Sequence, residues 1–249
     1  MSKIPHFSQK TTGQLFSIPR LDYAVTRQFQ WHICQERTAN RRSDTMVLVE
    51  HEPIFTLGRT AKDEHFRTKL DSAQTHGIQT TKSERGGSVT YHGPGQIVGY
   101  PILKLRDYCS GPKTYMRMLE EVLIRVLAEW GIIGQRVEKF VGVWVADPKN
   151  SNGSLAKIAA MGVKITHGVT MHGFALNATV NLEPFQYIVP CGIENCQVTS
   201  MAEVLGRDPG IEKVRDQIAN HFAEVFGIEW TEKITEIPFL LTDSSSRSG

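Results

Sequence analysis

The sequence predicts a single α+β domain, and three features lead to that prediction. Two amphipathic helices are expected over 113–130 and 209–226, strand-like apolar runs lie between them, and no repeat or linker divides the chain. A chain of 249 residues, 40% of them hydrophobic, can bury a full core. The first twenty residues lack acidic side chains and the last nine are small and polar. We therefore expect a flexible leader over 1–20, a domain over 21–240 and a disordered tail over 241–249.

The first elements are a helix and two short strands. The helix is expected from about Leu21 to Arg37. The run MVLVEHEPIFTLGR, residues 46–59, then predicts two strands interrupted at Glu52 and Pro53. Proline causes the interruption because it lacks the N–H group that a central strand needs.

The clearest helix covers residues 113–130, and Gly131 follows it in a position suited to a left-handed cap. Its apolar residues recur at steps of three and four: Tyr115, Met118, Leu119, Val122, Leu123, Val126, Leu127 and Trp130. A last helix is expected over 209–226, with Asp208 as its N-cap and Gly227 as its stop.

Three strand-like runs separate these helices: VGVWVAD, KIAAMGVKI and FALNATVNL. The polar stretch DPKNSNGSLA between the first two is expected to be an exposed loop. His172 and Gly173 are expected to turn the chain before a strand that starts at Phe174.

Composition argues against several classes of protein. A formal net charge of +2 gives no basic surface for nucleic acid, and no apolar run is long enough to span a membrane. Four cysteines and no export signal favour reduced thiols and a cytoplasmic location. His167, His172, Cys191 and Cys196 lack the paired spacings of zinc sites, so we expect no metal.

The stretch ERGGSVTYHGPGQIVGYP, residues 84–101, contains five glycines. It matches neither a phosphate-binding loop nor a dinucleotide fingerprint. It could be a glycine-rich hairpin without a ligand. Alternatively, it is a cradle with Arg85 and His92 at its ends, suited to a long, mostly apolar ligand with a polar attachment.

Cys191 and Lys157 are the strongest candidates for chemistry. Pro190 and Gly192 frame Cys191, which is typical of a positioned thiol, whereas Cys196 has no such frame. Thiols are mostly protonated at neutral pH, so a nucleophilic cysteine needs a nearby cation or base. Lys157, at the start of an apolar strand, is either that partner or a solvated charge at a sheet edge.

Several blocks, in the right order over about 45–205, resemble the signature motifs of the lipoyl(octanoyl) transferases, also called lipoate–protein ligase B. They are VEHEPIFTLGR, RGGSVTYHGPGQIVGYP, KIAAMGVKI, MHGFALN and FQYIVPCGI followed by VTSM. The resemblance implies a mixed β-sheet flanked by helices, like the biotin/lipoate protein ligases and the related class II aminoacyl-tRNA synthetases. The chain departs from the family in having Ala156 where a basic residue usually precedes the lysine.

The resemblance also implies roles for particular residues. Cys191 would accept the acyl group, and Lys157 would be its catalytic partner. The acyl slot would be lined by Arg85, Gly86, Gly87, Ser88, Val89, Thr90, Tyr91, His92, Ala160, Met161, Gly162, Gly173, Phe174 and Ala175. No cofactor is implied.

The implied reaction is the first step of endogenous protein lipoylation. Octanoyl-acyl carrier protein would be the donor, with a lipoyl group as another possible acyl substrate. The acceptors would be apo lipoyl domains of 2-oxoacid dehydrogenase E2 subunits and the glycine cleavage H protein. The enzyme is expected to be a monomer.

Other functions remain open at the level of sequence. An ATP-dependent lipoate or biotin ligase shares the implied fold and a comparable lysine, but it needs no positioned thiol at Cys191. A silent acyl-binding protein would form no covalent adduct. A papain-like hydrolase is less favoured, because its usual sequence around the cysteine is absent.

Overall fold

The computed structural model describes residues 10–67, 77–150, 153–193 and 196–237. Within these ranges the helices are α1 (Tyr23–Thr38), α2 (Pro112–Ala128), α3 (Met201–Leu205) and α4 (Ile211–Phe226). The strands are β1 (Thr11–Ile18), β2 (Asp44–Val49), β3 (Ile54–Leu57), β4 (Gln79–Lys82), β5 (Val89–His92), β6 (Gln96–Ile102), β7 (Gln135–Val137), β8 (Phe140–Ala146), β9 (Leu155–Thr166), β10 (Val169–Asn177), β11 (Gln197–Val198) and β12 (Ile228–Ile234).

The described strands form one large mixed sheet and one small sheet. The large sheet has the order β12-β1-β2-β6-β10-β9-β8-β7, and β11 pairs with β9. Its β12-β1-β2 part and the β11-β9 pair are parallel, while the other pairs are antiparallel. The small sheet has the order β4-β3-β5. This α+β architecture with flanking helices confirms the predicted fold class.

Burial on both faces of the large sheet explains why these elements assemble. Apolar residues of α2 and α4 pack on one face, in a core that includes Leu123, Phe222 and Leu176. The apolar side of α1, including Phe29 and Ile33, covers part of the other face. A smaller cluster around the small sheet completes the packing. The part of this second face beyond α1 is where the candidate site lies.

The helix predictions are largely confirmed, with one change of cap. Asp22 caps α1 by accepting a hydrogen bond from the Val25 N–H group. Gly227 ends α4 with a left-handed φ of 63°. However, the N-cap of α4 is Gly210. The Asp208 carboxylate instead accepts a hydrogen bond from the Gly210 N–H group (2.7 Å), so it shapes the preceding turn.

Two strand predictions need correction. Residues 11–18 are not a loose leader, because β1 pairs between β12 and β2 with Leu15 and Phe16 buried. The turn expected at His172 and Gly173 lies at 167–168, and β10 runs through both residues to end at Asn177. The two strands predicted around Pro53 are confirmed as β2 and β3. Residues 1–9 and 241–249 lie outside the described residues.

Candidate active site

Lys157 and Cys191 line one cleft, although they are far apart along the chain. Gly192 of the cysteine turn lines the same cleft. Lys157 lies on β9, and the chain returns to that strand soon after Cys191, because β11 pairs in parallel with β9. Val198 lies opposite Lys157, and the Thr199 N–H group donates to the Lys157 carbonyl (3.0 Å). This pairing brings the cysteine turn beside the lysine.

Cys191 lies in a tight turn, Pro190–Gly192, with a left-handed backbone (φ 58°, ψ 14°). Such angles are uncommon outside glycine, and in folded proteins strained backbone concentrates at functional sites. The turn is held by a hydrogen bond from the Val189 N–H group to the His65 carbonyl (2.7 Å). The backbone therefore presents the Cys191 side chain in one fixed direction.

The Lys157 side chain is buried, with 3% of its surface exposed. Among the described residues its Nζ has no hydrogen-bond partner, and it lies 4.8 Å from the centre of the Trp144 ring. A cation–π contact offsets only part of the free energy lost when an ammonium leaves water. Lys157 therefore provides a buried amino group that can donate a hydrogen bond to an anion in the cleft or exchange a proton with a neighbouring group.

Cys196 lies in the same neighbourhood as both groups. Burial raises the pKa of its thiol to about 11, an effect that Lys157 opposes and Cys191 reinforces. Cys196 is therefore a neutral thiol at pH 7, which argues against its being the nucleophile. Lys157 and Cys191 remain the candidate pair.

Arg85 is a second buried cation that faces Cys191. Its guanidinium donates to the Thr56 carbonyl (2.6 Å), the Thr56 hydroxyl (2.9 Å) and the Gly86 carbonyl (3.1 Å). Within the described ranges, no carboxylate lies within 4.0 Å of it. Burial lowers the pKa of Arg85, and the nearby Cys191 opposes that shift. An arginine without a carboxylate partner provides positive potential for an anionic sulfur or for a substrate oxygen.

A largely apolar cavity lies next to the cleft. Arg85, Met161, Gly162 and Cys191 line both spaces, so they form the junction between them. The remaining cavity residues are Tyr23, Thr90, His92, Val98, Tyr100, Ala160, His172, Gly173, Phe174 and Ala175. A thiol at the opening of an apolar cavity suits chemistry on the end of a hydrocarbon chain.

The hydrogen bonds of Gln96 fix the tautomer of His92. The Gln96 amide nitrogen donates to the Tyr91 carbonyl (3.2 Å) and to the Asn177 side-chain oxygen (2.9 Å), so its oxygen faces His92 Nδ1 (2.7 Å). His92 Nδ1 must then carry the proton, and Nε2 accepts a hydrogen bond from the Thr56 hydroxyl (3.3 Å). Burial lowers the pKa of His92 to about 3, so the ring is neutral at pH 7.

His51 is also a buried neutral histidine beside the cavity. Its Nδ1 faces the Leu21 carbonyl (2.7 Å) and therefore carries the proton, while Nε2 accepts from the Tyr100 hydroxyl (2.8 Å). Burial lowers the pKa of His51 to about 4 and raises that of Tyr100 well above its ordinary value. Tyr100 is thus held as a neutral donor, which leaves the cavity wall uncharged at this point.

His172 lines the cavity near a salt bridge between Arg27 and Glu84. The hydrogen bonds from Arg27 lower the pKa of Glu84 to about 2. Burial lowers the pKa of His172 to about 4, although Glu84 lies 3.7 Å from its Nε2. His172 is therefore neutral at pH 7.

The structure brings most of the sequence-predicted residues together, and strand alternation explains the exceptions. Ser88, Thr90 and His92 line the cleft or the cavity. Val89 and Tyr91 face the opposite side of β5, in the hydrophobic cluster around the small sheet, so their expected place in an acyl slot is wrong. The other residues predicted for the slot all line the cleft or the cavity.

The sequence did not predict that Tyr23, Val98, Tyr100 and His172 line the cavity. Tyr23 begins a helix whose pattern indicated only structural packing. Val98 and Tyr100 lie near the end of the glycine-rich stretch, on β6, and the alternation of residues along that strand could have identified them.

Two absences concern the described part of the chain. There, no three His, Cys, Asp or Glu side chains form a group able to hold a metal ion. No helix in the same residues has both the length and the hydropathy needed to cross a membrane.

The fold resembles solved lipoate and biotin ligases. A bipartite lipoate protein ligase from Thermoplasma acidophilum superposes with a TM-score of 0.66 at 16% identity, covering 94% of this chain and 91% of that one. A biotin protein ligase from Aquifex aeolicus, in complex with biotin and ATP, gives 0.52 at 12% identity, covering 86% and 70%. These similarities define the fold. The family model described as "Lipoyl protein ligase A/B catalytic domain" matches residues 22–223, which gives the class of protein.

Curated relatives specify the family further. The octanoyltransferase of Chloroflexus aggregans is 41% identical over 218 residues, covering 87% of this chain and 96% of its own length. The octanoyltransferase of Koribacter versatilis is 40% identical over 228 residues, covering 90% and 89%. The chain therefore belongs to the octanoyltransferase family of acyltransferases, as the sequence motifs predict.

Proposed function

We propose that this enzyme transfers an octanoyl group from acyl carrier protein to a lysine of apo lipoyl domains, through a thioester on Cys191. The observation that carries the proposal is that Cys191 and the buried Lys157, whose Nζ has no hydrogen-bond partner among the described residues, share a cleft from which an apolar cavity opens. The cleft admits a thioester, and the cavity accepts its hydrocarbon chain. Membership of the octanoyltransferase family supports the choice of acyl group.

In the first half of the reaction, Cys191 Sγ attacks the carbonyl carbon of the donor thioester. Its proton passes to the Lys157 amine, a new C–S bond forms, and the bond to the carrier thiol breaks. The leaving thiolate then takes the proton from Lys157. Arg85 contributes positive potential beside the sulfur throughout.

In the second half, the amine of the acceptor lysine attacks the Cys191 thioester. An amide forms, the C–S bond breaks, and Lys157 receives the amine proton and returns it to the cysteine sulfur. The acceptors proposed are lipoyl domains of 2-oxoacid dehydrogenase E2 subunits and the glycine cleavage H protein. A lipoyl group is a possible alternative acyl substrate. We further propose that the enzyme acts as a cytoplasmic monomer.

The test is an intact-mass measurement after incubation with octanoyl-acyl carrier protein, with and without ATP. Wild type is expected to gain one octanoyl group, without ATP, and to lose it in neutral hydroxylamine, which cleaves thioesters. Cys191→Ala should gain none, whereas Cys109→Ala, at a loop cysteine away from the cleft, should behave as wild type. An adduct on Cys191→Ala, or transfer that requires ATP, would contradict the proposal.

A further inference from the structure

The apolar cavity is built in rows that follow the strand register. Gly173 pairs with Gly162 in the row next to the cleft, and Ala175 pairs with both Ala160 and Val98 in the following row. All five residues line the cavity. Residues opposite one another in antiparallel strands share a face, and rows two residues apart are separated by about 7 Å. The small side chains of these two rows leave the space that forms the cavity.

The third row is polar and lies beyond the cavity. Asn177 pairs with Gln96, and both are almost fully buried, at 4% and 1% exposed. Neither lines the cavity. His92, which does line the cavity, joins this row through its hydrogen bond to Gln96. We name His92, Gln96 and Asn177 the polar closure.

The hydrogen bonds of the polar closure are all directed within the protein. The Gln96 amide donates to Asn177 (2.9 Å), and the Asn177 amide donates to the Thr199 carbonyl (2.9 Å). His92 uses both ring nitrogens, one on Gln96 and one on Thr56. A methyl group pressed against these atoms would separate partners that have no water to replace them, and this is unfavourable.

The direction of β5 shows that the polar closure lies at the end of the cavity away from Cys191. Ser88, just before β5, bonds to His65 (2.5 Å), and the His65 ring lies beside Gly192 in the cysteine turn. His92, at the other end of the strand, bonds to Gln96. The cavity therefore runs from the cysteine turn to the polar closure.

We propose that the Ala175–Ala160–Val98 row and the polar closure determine the length of acyl chain that the enzyme accepts. This rests on the proposed acyl transfer and adds its specificity-determining residues. Gly173 and Asn177 are four residues apart on one strand, about 14 Å. Because C–C bonds of about 1.5 Å zigzag, an extended acyl chain advances by about 1.3 Å per bond. An eight-carbon chain then reaches about 9 Å from its carbonyl carbon, and a twelve-carbon chain about 14 Å. The longer chain meets the polar closure, whereas the shorter one ends within the apolar rows.

The test compares rates of enzyme acylation by six-, eight-, ten- and twelve-carbon acyl-carrier donors. Ala175→Val narrows the second row and should lower the eight- to six-carbon rate ratio by about tenfold, the usual effect of one or two methyl groups in an apolar pocket. Val98→Ala widens it and should raise the ten- to eight-carbon ratio by a similar factor. Ala159→Val, a neighbouring alanine in the core on the other face, should keep the wild-type profile.

Unchanged profiles in both cavity variants would overturn the proposal, as would an equal shift in Ala159→Val. Isothermal titration calorimetry with free fatty acids of the same four chain lengths measures how tightly the cavity binds each chain, independently of catalysis. The same shifts in affinity support the proposal, and identical affinity profiles overturn it. Wild type that binds octanoate but forms no acyl adduct would contradict the proposed function and leave the chain-length proposal testable by binding.

Discussion

Val198 lies directly opposite Lys157 in the parallel pair of β11 and β9. This two-residue strand follows the cysteine turn closely, so one backbone pairing sets how near Cys191 comes to the lysine. On the other side of Cys191, Val189 is fixed to the His65 carbonyl. Backbone hydrogen bonds thus hold the chain before and after the proposed nucleophile Cys191, and side-chain substitutions at the site can be made without removing them.

Lys157→Met tests whether the buried amine serves chemistry rather than folding. Methionine keeps much of the side-chain length and removes a buried amine that has no hydrogen-bond partner among the described residues, so the melting temperature should stay the same or rise. Octanoyl transfer should fall by at least about a hundredfold, the lower range for loss of an acid–base group. Thermal denaturation and steady-state assays measure the two effects. A large loss of stability with the loss of activity would instead indicate a structural lysine.

His65→Ala tests the support of the cysteine turn. The variant keeps the backbone bond to Val189 but removes the hydrogen bond between the His65 ring and Ser88. We expect kcat to fall by about tenfold or more with KM little changed, because the thiol is less well positioned. Ser88→Ala should produce a smaller effect of the same kind. His221→Ala, remote from the cleft, serves as the control, and an equal loss in that variant would refute this role.

Gly142→Ala tests whether the packing around the Lys157 side chain and the Ala159 backbone requires a glycine at position 142. A Cβ at this position would approach the Ala159 carbonyl oxygen to 2.6 Å, would lie 3.4 Å from Lys157 Cε, and would require a φ of +126°. We expect a loss of about 1–3 kcal/mol in the free energy of unfolding, together with reduced transfer activity. Gly131→Ala has a positive φ but no neighbour within 4 Å, so it isolates the backbone strain. Chemical denaturation compares the two, and equal losses would contradict the steric argument.

The buried histidines predict a dependence of stability on pH. His51, His92 and His172 have pKa values of about 4, 3 and 4 when folded, against an ordinary value of 6.5. Between these limits the unfolded chain binds more protons, so the free energy of unfolding should fall as pH drops from about 6.5 toward 4. Each histidine contributes up to about 1 kcal/mol per pH unit. Urea denaturation at pH 7, 6 and 5 measures the slope.

His51→Gln should reduce that slope by about one third. The contribution of Glu84 falls in a separate window, because a pKa depressed to about 2 supports stability that is lost only below about pH 4.5. A free energy of unfolding that is flat from pH 7 to 5 would show that these histidines bind protons equally in the folded and unfolded protein, which would contradict the lowered pKa values.

The sequence predicts that Lys157 and Cys191 share a site, and it predicts most of the cavity residues, because these residues lie in short motifs that can be read along the chain. It misses β1, because the alternation in residues 11–18 is short and its pairing with β12 joins distant parts of the chain. His172 is mistaken for a turn residue because Gly173 follows it. The structure shows that Gly173 allows close approach of the Gly99 backbone, where a Cβ would lie 2.2 Å from the Gly99 oxygen. The need for a glycine at position 173 becomes visible only when the register between β10 and β6 is known.

The most direct test of the central claim is the rate at which iodoacetamide alkylates Cys191 at pH 7, followed by peptide mass mapping. Thiolates react and thiols do not, so the rate reports how strongly the cleft favours the sulfur anion. We predict that wild type reacts at least about tenfold faster at Cys191 than Lys157→Met, whose cleft lacks the amine that takes the thiol proton and stabilises the thiolate. Equal alkylation rates in the two proteins would show that Lys157 does not activate Cys191, and would contradict the account.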